Sequence, residues 1–106
     1  MSLSAEILER WRLRAKEWSD LQNAASLLRE TKNDVFSEMM SHAEGKSIAE
    51  RERVVRASKE WRDYVIGMVE AEAKARRAHV HLKYEGMVFD AWRAENANNR
   101  AEKYNG

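Results

Sequence analysis

The sequence contains no cysteine and no proline, and only four glycines: Gly45, Gly67, Gly86 and Gly106. Without cysteine there is no disulfide framework and no thiolate to serve as nucleophile or metal ligand. With so few turn-forming residues, a strand-rich fold has nothing from which to build its turns. No stretch approaches the roughly 20 consecutive apolar residues of a membrane helix, so no membrane partner is expected. The start, Met1-Ser2-Leu3-Ser4, lacks the basic residues and apolar run of a signal peptide. With the absence of cysteine, this leads to the expectation of a cytoplasmic protein. Nor is there an excess of one charge. The formal net charge is +1, which by itself selects neither nucleic acid nor a membrane surface.

Charged residues make up 35% of the 106 and apolar residues 43%, a balance that suits helices with much solvated surface. From residue 47 to 103 the chain runs 57 residues with only Gly67 and Gly86 as helix weakeners. As one helix this run would measure roughly 85 Å, whereas a compact domain of this size is only about 30 Å across. The expectation is that another copy of the chain covers part of it.

The first helix is expected over about 4–43, capped by Ser4, with Glu6 and Glu9 near the positive end of its dipole. Its apolar stripe keeps heptad spacing in two series: Ile7, Arg14, Leu21, Leu28, Val35 and Trp11, Trp18, Ala25, Lys32, Met39. Eight of these ten positions are apolar, which is the pattern of a coiled-coil seam. Gly45 is expected as a left-handed cap in a turn at 44–46. Ser47-Ile48-Ala49-Glu50 then reads as a capping box, Ser47 accepting from Glu50 N–H and Glu50 reaching back to Ser47. So short a turn places two helices side by side and antiparallel.

The second helix is expected over about 47–100, followed by a frayed polar tail to residue 106. Val54, Trp61, Met68, Ala75, Leu82 and Phe89 form an unbroken apolar heptad series. Its partner series, Ser58, Val65, Glu72, His79, Gly86 and Arg93, is much poorer; Ala57, Tyr64, Ala71, Ala78 and Trp92 lie one residue away and share the buried face. The expected fold is therefore all-α: a single domain over 1–106, an antiparallel helical hairpin with a long second helix, coiled-coil-like and oligomeric. Because the second helix outruns the first, the segment 82–92 is expected to protrude. Its Leu82, Met87, Phe89 and Trp92 are then the candidate oligomer interface, with Trp92 as anchor.

No catalytic constellation stands out. The three histidines, His42, His79 and His81, fall in helical context, and no glycine-rich phosphate loop is present. The protein is expected to be no enzyme and to use no cofactor or metal. His81 with Glu85, and Glu38 with His42, read as surface pairs rather than metal ligands, and His79 as a seam residue that fixes register. Charge is more informative. Residues 73–84 hold Lys74, Arg76, Arg77, Lys83 and two histidines with no acid. A second run, Arg51, Arg53, Arg56, Lys59 and Arg62, is mixed with glutamates, and a third comprises Arg10, Arg12, Arg14 and Lys16. Lysine and arginine contacts to phosphate drive non-specific nucleic-acid binding, and aromatic side chains stack on single-stranded bases. The plain alternative is a solvated helix face with i to i+4 ion pairs such as Glu70–Lys74.

Three segments, Ser58-Lys59-Glu60-Trp61, then Val69-Glu70-Ala71-Glu72-Ala73-Lys74-Ala75-Arg76-Arg77-Ala78, then Leu82-Lys83-Tyr84, resemble in order and spacing the phage recombination mediator proteins of the T-even type. The resemblance covers about residues 47–92. It implies a helical, ring-forming oligomer that binds single-stranded DNA and helps load a recombinase while displacing a single-strand-binding protein. Carried over by position, the DNA contacts would be Lys59, Lys74, Arg76, Arg77 and Lys83. The chain is shorter than those proteins and has no C-terminal assembly segment of their kind. A second reading is a structural or adaptor coiled-coil protein that binds a partner protein through 82–92, without nucleic acid. A third, the short secreted hairpins of the W-x-G type, calls for a Trp-x-Gly turn, where this chain has His42-Ala43-Glu44-Gly45-Lys46.

Overall fold

A computed structural model describes residues 2–105. The described residues are all-α, with no strand among them: α1 (Leu3–Glu30), α2 (Lys32–His42), α3 (Ile48–Ala57) and α4 (Lys59–Asn105). No described helix is long and apolar enough to cross a membrane. The chain forms two compact units. A terminal unit joins Met1–Asp20 to Arg76–Gly106, and a middle unit spans Leu21–Ala75.

Both expected helices are interrupted, each at a hydroxyl residue. At Thr31 the side chain donates to the Leu27 carbonyl at 2.8 Å, a back-bond that shares this carbonyl with the Thr31 N–H, itself 3.0 Å away. Tyr64 donates its hydroxyl to the Leu28 carbonyl and lies 3.0 Å from the Thr31 hydroxyl. The polar groups at the break are thereby satisfied from across the unit. At Ser58 the backbone is extended, with ψ 150°. Its hydroxyl donates to the Val55 carbonyl at 2.6 Å and accepts from the Trp61 N–H at 3.2 Å. One side chain thus closes α3 and caps α4, which is why the expected helix over 47–100 is two helices. Ser58→Ala is expected to cost about 1 kcal/mol, read as a lower urea midpoint, with Ser58→Asp restoring most of it; an unchanged midpoint for the alanine variant would exclude the cap.

The turn also differs from the expected one. No described glycine has positive φ, so Gly45 is not a left-handed cap. Its reason is space: a Cβ there would lie 3.0 Å from Arg51 Cγ and 3.2 Å from the Arg51 backbone nitrogen. Ser47 does accept from Glu50 N–H, at 3.1 Å, but the Glu50 carboxylate accepts from Lys46 N–H at 2.8 Å rather than from Ser47. At the start of α1 the cap is Ser2, which accepts from Ala5 N–H at 3.2 Å, and Ser4 lies inside the helix. At the other end, the tail expected to fray is helical to Asn105; residue 106 of that expectation lies outside the described residues.

In the middle unit the paired runs are antiparallel. Arg29 meets Glu72 at 2.6 Å, Tyr64 reaches Leu28 and Thr31, and the Phe36 ring packs edge-on against Trp61 at 4.9 Å. Ala25, Val55, Trp61, Met68 and Ala75 are its buried apolar residues. In the terminal unit Trp11 lies against Phe89 at 5.3 Å and Trp18 against His79 at 5.1 Å, again antiparallel. Ile7 and Ala78 are buried there. Gly86 lies beside the Trp11 indole, and an added Cβ would meet its nearest ring atom at 3.4 Å, an ordinary van der Waals contact.

The seam of α4 takes Trp61, Met68, Ala75, Leu82 and Phe89; Val54, which heads the same series in the sequence, lies in α3 and is exposed, with Val55 buried in its place, and Ala57 is exposed as well. Its second series runs through Tyr64, Ala71, Ala78, Glu85 and Trp92. All ten are buried or half-buried, and they alternate by three and four residues, so they lie along one face of the helix. Beyond Trp92 the same positions carry Asn96, Asn99 and Lys103, and residues 97–104 are all exposed.

Candidate functional site

The structure separates the three basic runs by what their charges meet. In the first run Arg12 makes a bidentate contact with Glu9, at 3.0 and 2.7 Å. Arg14 pairs with Glu17 at 3.0 Å, Lys16 with Asp20 at 3.2 Å and Arg10 with Glu85 at 3.5 Å. The Arg12 hydrogen bonds hold the Glu9 carboxyl below its ordinary pKa, and Glu9 raises that of Arg12. Every cation of this run already has an acidic neighbour. The second run is also committed in part. Lys59 pairs with Asp63 at 2.9 Å, Arg56 lies over the Phe36 ring at 4.8 Å, and Arg62 donates to the Ala57 carbonyl at 3.4 Å.

The run at 73–84 is different. Lys74, Arg76, Arg77 and Lys83 are all exposed, and none takes part in an ion pair among the described residues. The adjacent acid Glu72 is held by Arg29 in the middle unit, so it does not neutralise them. The Glu70–Lys74 surface pair that the spacing allows is not formed among the described residues. Arg76, Arg77 and Lys83 belong to the terminal unit and, by helical phase, share the face of α4 opposite its seam. That face also presents Val80 and Tyr84, each 63% exposed, and Met87, 68% exposed. Of the five basic residues that spacing and resemblance single out, these three come together; Lys59 is paired elsewhere and Lys74 falls in the middle unit.

The expected interface segment divides between two faces of the same helix. Leu82, Phe89 and Trp92 turn into the seam of the terminal unit, with Phe89 against Trp11 and Trp92 stacked on Phe89 at 6.0 Å. Only Met87 faces solvent. The cause is register. Trp11 lies opposite Phe89 and Arg10 opposite Glu85, so the start of α1 already covers 82–92.

Two polar features were not legible as such in the sequence. Glu85 is 9% exposed and sits in the seam; Arg10 is its ion-pair partner, and the same cleft of about 260 Å³ is lined by Leu13, Arg14 and Glu17. The signal available was its place in the 64/71/78/85/92 series. The second is a cleft of about 260 Å³ in the middle unit, where Ser58, His42 and Glu60 line apolar walls from Met39, Val54 and Val55. A serine, a histidine and a carboxylate in one cleft invite comparison with a hydrolase triad, but the Ser58 hydroxyl is spent on capping: it donates to Val55 and accepts from Trp61. His79 is half-buried beside Trp18, one residue outside the seam series, where Ala78 takes the place expected of His79. Among the described residues no group of three or more His, Cys, Asp or Glu side chains could hold a metal ion.

No family model, curated protein or solved structure matches the chain.

Proposed function

We propose that this chain is a non-enzymatic, oligomeric DNA-binding accessory protein. Its helices form an antiparallel hairpin whose long second arm carries the contact face, and it acts in the cytoplasm. By resemblance the closest role is that of a recombination mediator, which binds single-stranded DNA and works with a recombinase and a single-strand-binding protein. The observation that carries the reading is the contrast among the basic runs: the cations at 10–16 are ion-paired, whereas Lys74, Arg76, Arg77 and Lys83 are exposed and have no acidic partner among the described residues. Unpaired cations with no internal acid to displace are available to phosphates at little desolvation cost. Contact of this kind grips the backbone without reading bases.

Fluorescence anisotropy with a labelled single-stranded oligonucleotide tests this. Binding is expected at about 50 mM salt, weakening as salt rises. The variant Lys74→Ala/Arg76→Ala/Arg77→Ala is expected to bind at least tenfold more weakly, with the log–log salt slope smaller by about 2 and helicity unchanged. Absence of binding to the wild-type protein at low salt removes the reading.

One observation favours the adaptor alternative. Tyr84 and Met87 are exposed large side chains within 82–92, a place where a partner protein could pack without nucleic acid. A protein that fails the anisotropy test but retains a defined partner through this segment would support it.

A further inference from the structure

The face of α4 opposite its seam carries a second heptad pattern. In the terminal unit Arg77, Val80, Tyr84, Met87, Ala91 and Ala94 alternate by three and four residues, and all six are exposed. A helix with one seam needs only one such series; here the outer one is left without cover by the chain itself.

We propose that this outer stripe is a two-fold interface with a second copy of the same chain, the two α4 helices running antiparallel. Polarity and register both follow from the sequence of the stripe. In one antiparallel register Tyr84 of each copy lies opposite Met87 of the other, Val80 opposite Ala91, and the aliphatic stem of Arg77 opposite Ala94. Large side chains meet small or flexible ones in every layer, which is how facing seams fill space. In that same register Lys83 of each copy faces Asp90 of the other. Both are exposed, and neither takes part in an ion pair among the described residues. The two-fold axis makes that unlike-charge contact twice. A parallel arrangement instead brings Asp90 of one copy to Glu95 of the other, a like-charge contact. Charge complementarity thus selects a second copy, and selects its direction.

The contact spans 18 residues of each α4, from 77 to 94, a short stretch that places it at the small end of stable interfaces. The inference rests on the proposed self-association and gives it a face, a polarity and a register. It does not depend on nucleic acid. Arg76 and the guanidinium of Arg77 stay at the edges of the contact, free to meet phosphate, whereas Lys83 is given to Asp90 in the dimer and leaves the phosphate-binding set.

The test is sedimentation equilibrium over a micromolar concentration series, with anisotropy run in parallel. The wild-type chain is expected to dimerise. Lys83→Glu and Asp90→Lys each create two like-charge contacts and are expected to weaken the dimer by about tenfold or more, while Lys83→Glu/Asp90→Lys restores it. Both residues are exposed, so all three variants should keep the wild-type circular dichroism. A wild-type dimer indifferent to both single reversals, or one that the double reversal fails to restore, overturns this interface while leaving self-association standing. A strict monomer overturns both. If that monomer binds an oligonucleotide and Lys83→Glu abolishes the binding, the face belongs to nucleic acid; if it binds none, the face is left to a different protein.

Discussion

Trp61→Ala is expected to remove about 3–5 kcal/mol of stability, the usual cost of emptying a large aromatic site in a core. Trp61 is 7% exposed. It meets Phe36 in an edge-to-face arrangement, with centroids 4.9 Å apart, and stacks on Tyr64 at 5.7 Å. It is also the third residue of α4, and its backbone N–H, which any replacement keeps, is the one that Ser58 caps. Losing the indole therefore loosens two things together: the ring cluster and the hold of Tyr64 on the break at Thr31. Against a total of about 5–15 kcal/mol for an ordinary domain, the variant should be largely unfolded at low urea. Far-UV circular dichroism against urea reads this directly. Trp61→Phe keeps most of the ring contact and should lose about 1–2 kcal/mol. An alanine variant with a midpoint close to wild type would mean that the cluster does not hold the middle unit together.

The second large effect has the opposite sign. Glu85→Leu is expected to leave the protein as stable as wild type or up to about 3 kcal/mol more stable, while Arg10→Met is expected to destabilise it by about 1–2 kcal/mol. Glu85 is a carboxylate taken out of water in a seam otherwise made of apolar and aromatic side chains, and its ion-pair partner, Arg10, lies at 3.5 Å and keeps half its side chain in solvent. That geometry returns only part of the desolvation cost. A leucine at the same place restores the seam pattern between Leu82 and Phe89. Removing Arg10 instead leaves the buried charge with its cost and without its ion pair, though the exposure of Arg10 keeps the loss below that of a fully buried pair. Urea midpoints of the two variants check the pair of signs. A Glu85→Leu protein less stable than wild type by more than about 1 kcal/mol would show that the carboxylate contributes net stability.

These two residues also mark where the sequence was and was not legible. The series Trp61, Met68, Ala75, Leu82, Phe89 is apolar at every step, and it faces inward. Its partner was obscured because Glu85 interrupts it with an acid and Ala71 and Ala78 carry little hydrophobic signal, so the poorer series through Ser58 and Gly86 competes with it on paper. The breaks at Thr31 and Ser58 leave almost no trace in periodicity. Each arises from one hydroxyl finding a backbone partner, and at Thr31 the deciding group, Tyr64, lies 33 residues away in sequence. Gly45 was recognisable as a turn residue, but the reason was a close approach to Arg51 rather than a left-handed backbone. The basic stretch at 73–84 was visible from composition. That its cations differ from those at 10–16 was not, because ion pairing depends on which acids the helices bring alongside.

The placement of the four tryptophans has a practical consequence. Trp11, Trp18 and Trp92 belong to the terminal unit, and Trp61 alone to the middle unit. Intrinsic fluorescence therefore carries two separable signals from one polypeptide. In a Trp61→Phe protein every emitting indole reports on the terminal unit. In a protein that keeps Trp61 as its sole indole, with phenylalanine at the other three sites, emission follows the middle unit alone. Two such chains, followed through the same denaturant series, would show whether the halves melt as one transition or as two, with no dye attached.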